Sequence, residues 1–308
     1  MGADGWPNDL PAKGIYLGPA DVLVEKVDPY VKNSVYQRWD PLRKYNLILA
    51  VIHIVIAIAL TIYFARIRAK NDKVNYVNLD ILTHAFNFVN PTQNQGNFFQ
   101  FVSEKVASLD EKGVATLVVS FFAITAGFHL LYAFNPCNIY LDAVNRGNNY
   151  LRWIEYGISA TIMIVIIALL SGVKDVGNYV LLIVSSLAIM STGQWFETAT
   201  GKSKWLPIIV GFVVMGGVFL TIFSSFRKRL MEAKDAGFTV PTWLYAVVFV
   251  MFGFYASFGF VPIAQMIFKR NYRRYEYTYL TLSLASKATL GLLVAFGFGQ
   301  RSQADNPS

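Results

Sequence analysis

Seven stretches of this chain are apolar and about twenty residues long, the length an α-helix needs to cross a bilayer. They run over roughly 45–66, 114–135, 150–171, 176–196, 205–227, 241–268 and 277–299. Backbone N–H and C=O groups find no partner in hydrocarbon, so these segments must be helices that satisfy their own hydrogen bonds. The residue balance agrees: 55% of the 308 residues are hydrophobic and 15% are charged. Connections such as 171–175 and 197–204 are short, which makes consecutive helices antiparallel neighbours. The expected architecture is all-α, a seven-transmembrane-helix bundle over 45–300 with a long structured loop (about 67–113) between its first two helices. A polar N-terminal tail (1–44) precedes it and a short C-terminal tail (301–308) follows.

A net charge of +8, from 27 basic and 19 acidic residues, invites a nucleic-acid reading. The placement of the charges rejects it. Basic residues sit at the ends of apolar segments, where loops meet lipid headgroups. They divide almost evenly between the two faces. The densest cluster, Lys269, Arg270, Arg273 and Arg274, lies on the N-terminal side, which leans towards a cytoplasmic N-terminus and an extracellular C-terminus. Cys137 is the one cysteine, so no intrachain disulfide can form, and a place at a helix end is expected for it. Residues 1–45 hold no apolar run of signal-peptide type.

Five prolines within 1–44 argue against a long helix there; a polar tail lying on the bundle is expected. Asp40-Pro41 reads as an N-cap followed by proline at the first helical position, so the first helix should begin near Pro41. The first connection, about 66–112, is long enough to carry structure of its own. Phe98, Phe99, Phe101, Val102, Val106 and Leu109 suggest a short amphipathic helix on the bundle mouth, and residues 74–82 could pair as short strands.

Few charges lie inside the membrane segments. Lys287 stands alone in the seventh, and a lysine at mid-bilayer costs about 2.5–3.5 kcal/mol on insertion scales. Such a group calls for a partner and a task, and a lysine amine is the usual nucleophile for joining an aldehyde. Glu155 in the third segment, one turn beyond Arg152, is the carboxylate best placed to balance it. Ser283 precedes Lys287 by four residues, on the same helix face. His53 and His129 fall in the first and second segments. A plain interhelical salt bridge would also explain the lysine and the glutamate, but intramembrane ion pairs more often carry function. Either histidine alone could simply bond a neighbouring helix; two of the chain's three inside the membrane favour a proton-handling role.

LSLASK in the seventh segment and RWIEY in the third, with the long first loop and the two histidines, resemble the heliorhodopsins, retinal-binding relatives of the microbial rhodopsins. The resemblance runs over about 45–300 and leaves out the N-terminal tail. It implies that Lys287 carries all-trans retinal as a protonated Schiff base with Glu155 as counterion. Ser283 would bond near the Schiff base. His53 and His129 would belong to a polar, water-holding network, with Arg152 among the candidate binding residues. It also implies the inverted orientation and a homodimer in the lipid bilayer. Ion-pumping relatives usually carry aspartate four residues before the lysine, where this chain has Ser283. One carboxylate in place of two makes pumping unexpected and the colour sensitive to protonation of Glu155.

Retinal needs an aromatic pocket. Phe212, Phe219, Trp243, Phe249, Phe252, Phe254, Tyr255, Phe258 and Phe260 are its candidates, although such stripes mostly face lipid or other helices. Gly253 and Gly259 would admit a close approach, and Pro262 would kink the sixth helix. Trp195 reads equally as a pocket residue or an interfacial anchor, and Glu197 as a solvated residue. The first functional expectation is a light sensor read by a signalling partner. The second is a light-gated proton or ion channel with the same chromophore, and the third a transporter with none. Enzyme chemistry is not expected, since no metal-ligand spacing, phosphate-cradling loop or nucleophile triad is visible.

Overall fold

The computed structural model describes residues 15–17, 23–25, 39–70, 79–88 and 99–304. Two short strands, β1 (Ile15–Leu17) and β2 (Leu23–Glu25), pair antiparallel in the N-terminal tail. Where that tail lies on the bundle falls outside the described residues.

Seven helices are long and apolar enough to cross a membrane: α1 (Pro41–Lys70), α2 (Glu111–Phe134), α4 (Tyr150–Leu170), α5 (Val176–Thr198), α6 (Trp205–Asp235), α7 (Thr242–Phe268) and α8 (Tyr272–Ala304). Their starts follow local chemistry. Asp40 Oδ1 accepts from Leu42 N at 2.8 Å, and Pro41 occupies the first turn, where its missing N–H costs nothing. Asp110 caps α2 through Gly113 N and Asp175 caps α5 through Asn178 N. Each spanning helix packs on the next, and α8 returns to α1, closing the ring. Side chains such as Val55, Leu181, Val213 and Leu292 point outward on its rim, as a lipid-facing surface requires.

The first connection overturns one expectation. Residues 99–109 form a strand, not an amphipathic helix: β3 (Leu79–Phe88) and β4 (Phe99–Leu109) make an antiparallel hairpin with an irregularity at Ile81/Leu82. Phe98 and residues 74–78 lie outside the described residues. The apolar spacing fits both periods, and a partner strand ten residues away decides the matter. Leu82 N bonds Lys174 O at 2.7 Å, docking the hairpin on the turn between α4 and α5.

The second connection holds α3 (Ile139–Asn145) after a tight turn at Pro136–Asn138. Asn135, Cys137 and Asn138 all have positive φ (49°, 51° and 59°). Asn135 Oδ1 secures the turn by accepting from Tyr140 N and Leu141 N. Tyr140 is thereby buried, stacked on Tyr132 at 4.5 Å. Cys137 is exposed in that turn.

Buried polarity is unevenly divided along the bundle axis. Among the described residues, every buried Lys, Arg, His and Glu (His53, His129, Arg152, Glu155, Glu197, Glu276 and Lys287) lies from mid-bundle towards the face where α1, α4 and α8 begin. The other half closes with apolar layers that include Val118, Phe121, Ile164, Ile167, Leu290, Val294 and Phe298.

Candidate functional site

Lys287 projects from the middle of α8 and is 2% exposed. Its Nζ donates to Glu155 Oε1 at 3.0 Å and to Ser283 Oγ at 2.6 Å. Glu155 lies in the second turn of α4, and two further donors converge on the same carboxylate oxygen: Thr125 Oγ1 of α2 at 2.7 Å and Ser159 Oγ at 2.9 Å. Ionised groups hold such short hydrogen bonds best. The Tyr156 ring lies 5.2 Å from Nζ and adds its negative face.

A cavity opens on this pair, concave and enclosed by helices as small-molecule sites are. Helices α4 to α8 line it, and its wall is overwhelmingly apolar. Of the aromatic candidates, Phe212, Tyr255 and Phe258 face it, joined by Trp153, Tyr156 and Phe196. Phe249 and Phe260 point outward, while Phe219 and Trp243 are buried away from the cavity. Gly259 meets the Phe212 ring, and Pro262 lies within α7 beside the cavity.

His53 and His129 stand beside each other, with ring centroids 5.1 Å apart. His53 Nδ1 faces Leu49 O at 2.7 Å, and His129 Nδ1 faces Asn46 Oδ1 at 2.8 Å. Both Nε2 atoms are buried without a partner among the described residues. Two unfilled buried acceptors suit ordered water, which satisfies such groups in protein interiors.

Arg152 is placed elsewhere. Its guanidinium packs against both the Trp153 and the Tyr279 ring, at 4.9 and 4.1 Å, outside the residues that line the cavity. It forms ion pairs with both Glu197 and Glu276. Glu197 is therefore buried, against the expectation of a solvated residue, because Arg152, Tyr272 and Asn149 N supply donors that replace its water. Trp195, two residues earlier, is 43% exposed near the end of α5. Glu276 escaped the sequence reading because α8 begins five residues before the apolar segment does. Its spacing with Tyr279, Ser283 and Lys287 marks one face of a helix. A second signal was available: with Glu155 assigned to Lys287, Arg152 lacked a counter-charge.

The sequence model of the heliorhodopsin family matches residues 42–298, from the first turn of α1 to near the end of α8. No curated protein matches the sequence. With the family match spanning all seven membrane helices and the interior Lys287–Glu155 pair, this chain belongs to the heliorhodopsin family.

Proposed function

We propose that this rhodopsin is a light sensor, carrying all-trans retinal as a protonated Schiff base on Lys287 with Glu155 as counterion. One observation carries the reading: an apolar cavity ends on a buried lysine that is ion-paired with Glu155 in the bundle centre. An apolar polyene suits that wall, and the amine at its end suits an aldehyde. Retinal supplies absorption of visible light and a change of shape on absorbing it. The chain supplies the rest. Glu155 balances the positive charge at Lys287 Nζ, and Thr125 and Ser159 hold its carboxylate in place. Ser283 offers Nζ a second acceptor one turn away. Trp153, Tyr156, Phe212 and Phe258 bound the cavity and keep bulk water from the charge pair.

The one-sided polarity of the bundle supports a sensor over a conductor. A proton leaving Lys287 finds acceptors towards the α1/α4/α8 starts, and no buried Lys, Arg, His, Asp or Glu side chain in the other direction among the described residues. A through-path would need polar groups or water on both sides. The clustered Lys269, Arg270, Arg273 and Arg274 support a cytoplasmic placement of the polar half, where a signalling partner would read it.

The test is illumination under voltage clamp of cells expressing the protein with all-trans retinal, together with the visible spectrum of the purified sample. A visible band without photocurrent is expected. A sustained photocurrent would replace the sensor with a channel or pump, which the reversal potential would tell apart.

A further inference from the structure

Asn46 is fully buried on α1 and makes three contacts that leave its amide only one orientation. Its Nδ2 reaches Leu42 O at 2.9 Å and Tyr140 Oη at 3.0 Å. A backbone carbonyl can only accept, so the NH₂ end must face Leu42 and Oδ1 must face His129. An amide oxygen also only accepts. The proton between Asn46 Oδ1 and His129 Nδ1 therefore belongs to the histidine. The same argument places a proton on His53 Nδ1, which faces the Leu49 carbonyl.

We infer that Asn46 is a positioning residue, which fixes His129 in its Nδ1–H tautomer so that both buried histidines keep Nε2 as a free acceptor. It also ties His129 to the Arg152 cluster. Asn46 Nδ2 donates to Tyr140 Oη, and Tyr140 O–H donates to Glu276 Oε1 at 3.2 Å. Every bond in this chain of side chains points the same way, from His129 through Asn46 and Tyr140 to a carboxylate. Burial, reinforced by the charge of Glu276, holds the Tyr140 phenol well above its ordinary range, so its proton stays in place as a donor. His129 and the ion pairs at the end of the bundle thus form one connected system, joined through α1 and α3. The bearing of this system on the light response rests on the reading of Lys287 above; the tautomers themselves do not.

Imidazole nitrogen NMR of the full-length protein in lipid, labelled at histidine, tests it with and without added retinal. The chain has three histidines, and His53→Gln and His84→Gln spectra assign them. At neutral pH, His129 and His53 should carry the proton on Nδ1, the minor form of a neutral imidazole in water. Asn46→Leu should move His129 to the Nε2–H form. Tyr140→Phe should leave it unchanged, because Leu42 O still orients the amide. A proton on Nε2 of His129 in the unmodified protein overturns the inference, whether or not Asn46→Leu folds. So does an Asn46→Leu spectrum identical to wild type. A colourless sample with these tautomers would sink the chromophore reading and leave the inference standing.

Discussion

Arg152 on α4 forms an ion pair with Glu276 on α8 while its other terminal nitrogen pairs with Glu197 on α5, so one guanidinium joins three helices at one end of the bundle. Tyr140, Asn149 and Tyr272 fill the remaining positions around the two carboxylates. Removing the arginine leaves two buried carboxylates facing each other without a counter-charge. Arg152→Gln should therefore cost about 3–5 kcal/mol, the usual penalty for breaking a buried pair from one side. Glu276→Gln leaves a neutral Arg152–Glu197 pair and should cost about 1–3 kcal/mol. Thermal unfolding in detergent checks the order, and equal losses would mean that the charges count for little in this cluster.

Lys287→Ala removes the only amine in contact with the cavity among the described residues, and visible absorption should vanish while the bundle still folds. Glu155→Gln keeps shape but removes the charge facing Nζ. A cation without its counter-charge should absorb at longer wavelength. In the unmodified protein, acid should produce the same displacement by protonating Glu155, and Glu155→Gln should abolish that acid transition. Spectra recorded through an acid titration decide it: a variant that still shows the transition has its counterion elsewhere.

Thr125→Val tests the carboxylate from the opposite direction. The threonine donates to Glu155 Oε1 at 2.7 Å, in competition with Lys287. Without it, more of the carboxylate charge faces Nζ, and the band should move to shorter wavelength. The displacement should be smaller than that of Glu155→Gln and opposite in sign. A shift in the same sense would mean that Thr125 keeps Glu155 ionised rather than sharing its charge.

Much of this was legible in the sequence because lipid leaves a chain few choices. The seven helices follow from apolar length, and the first begins at Asp40-Pro41 as the cap chemistry requires. Lys287 and Glu155 could be paired by elimination, since so few charges enter the segments. Strand β4 was misjudged as a helix because a strand's partner lies elsewhere in the chain, and apolar spacing alone does not reveal it. Glu276 was missed and Glu197 misread as solvated at helix ends, where apolar length says nothing about whether a charge faces water or another helix. Asn46, Thr125 and Tyr140 carry no charge to attract notice, and only their contacts identify them.

Gly193 and Gly127 make opposite predictions for the same substitution. The Trp153 ring lies over Gly193 so closely that an added Cβ would overlap it. The ring cannot simply withdraw, because its other contacts are the Arg152 guanidinium and the rings of Tyr156 and Tyr279. Gly193→Ala should push Trp153 into the cavity it lines, costing about 1–3 kcal/mol as overpacking does and reducing the retinal bound per protein. Gly127, in the interior of α2, has no neighbouring heavy atom within 4 Å of an added Cβ. Gly127→Ala should stabilise the protein by roughly 0.5–1 kcal/mol through helix propensity alone, with an unchanged spectrum. Melting temperature and the ratio of visible to protein absorbance, measured on both variants, read out the contrast. If Gly193→Ala bound retinal as the unmodified protein does, the Trp153 side of the cavity would have room to give, and that wall would not set the shape of the site.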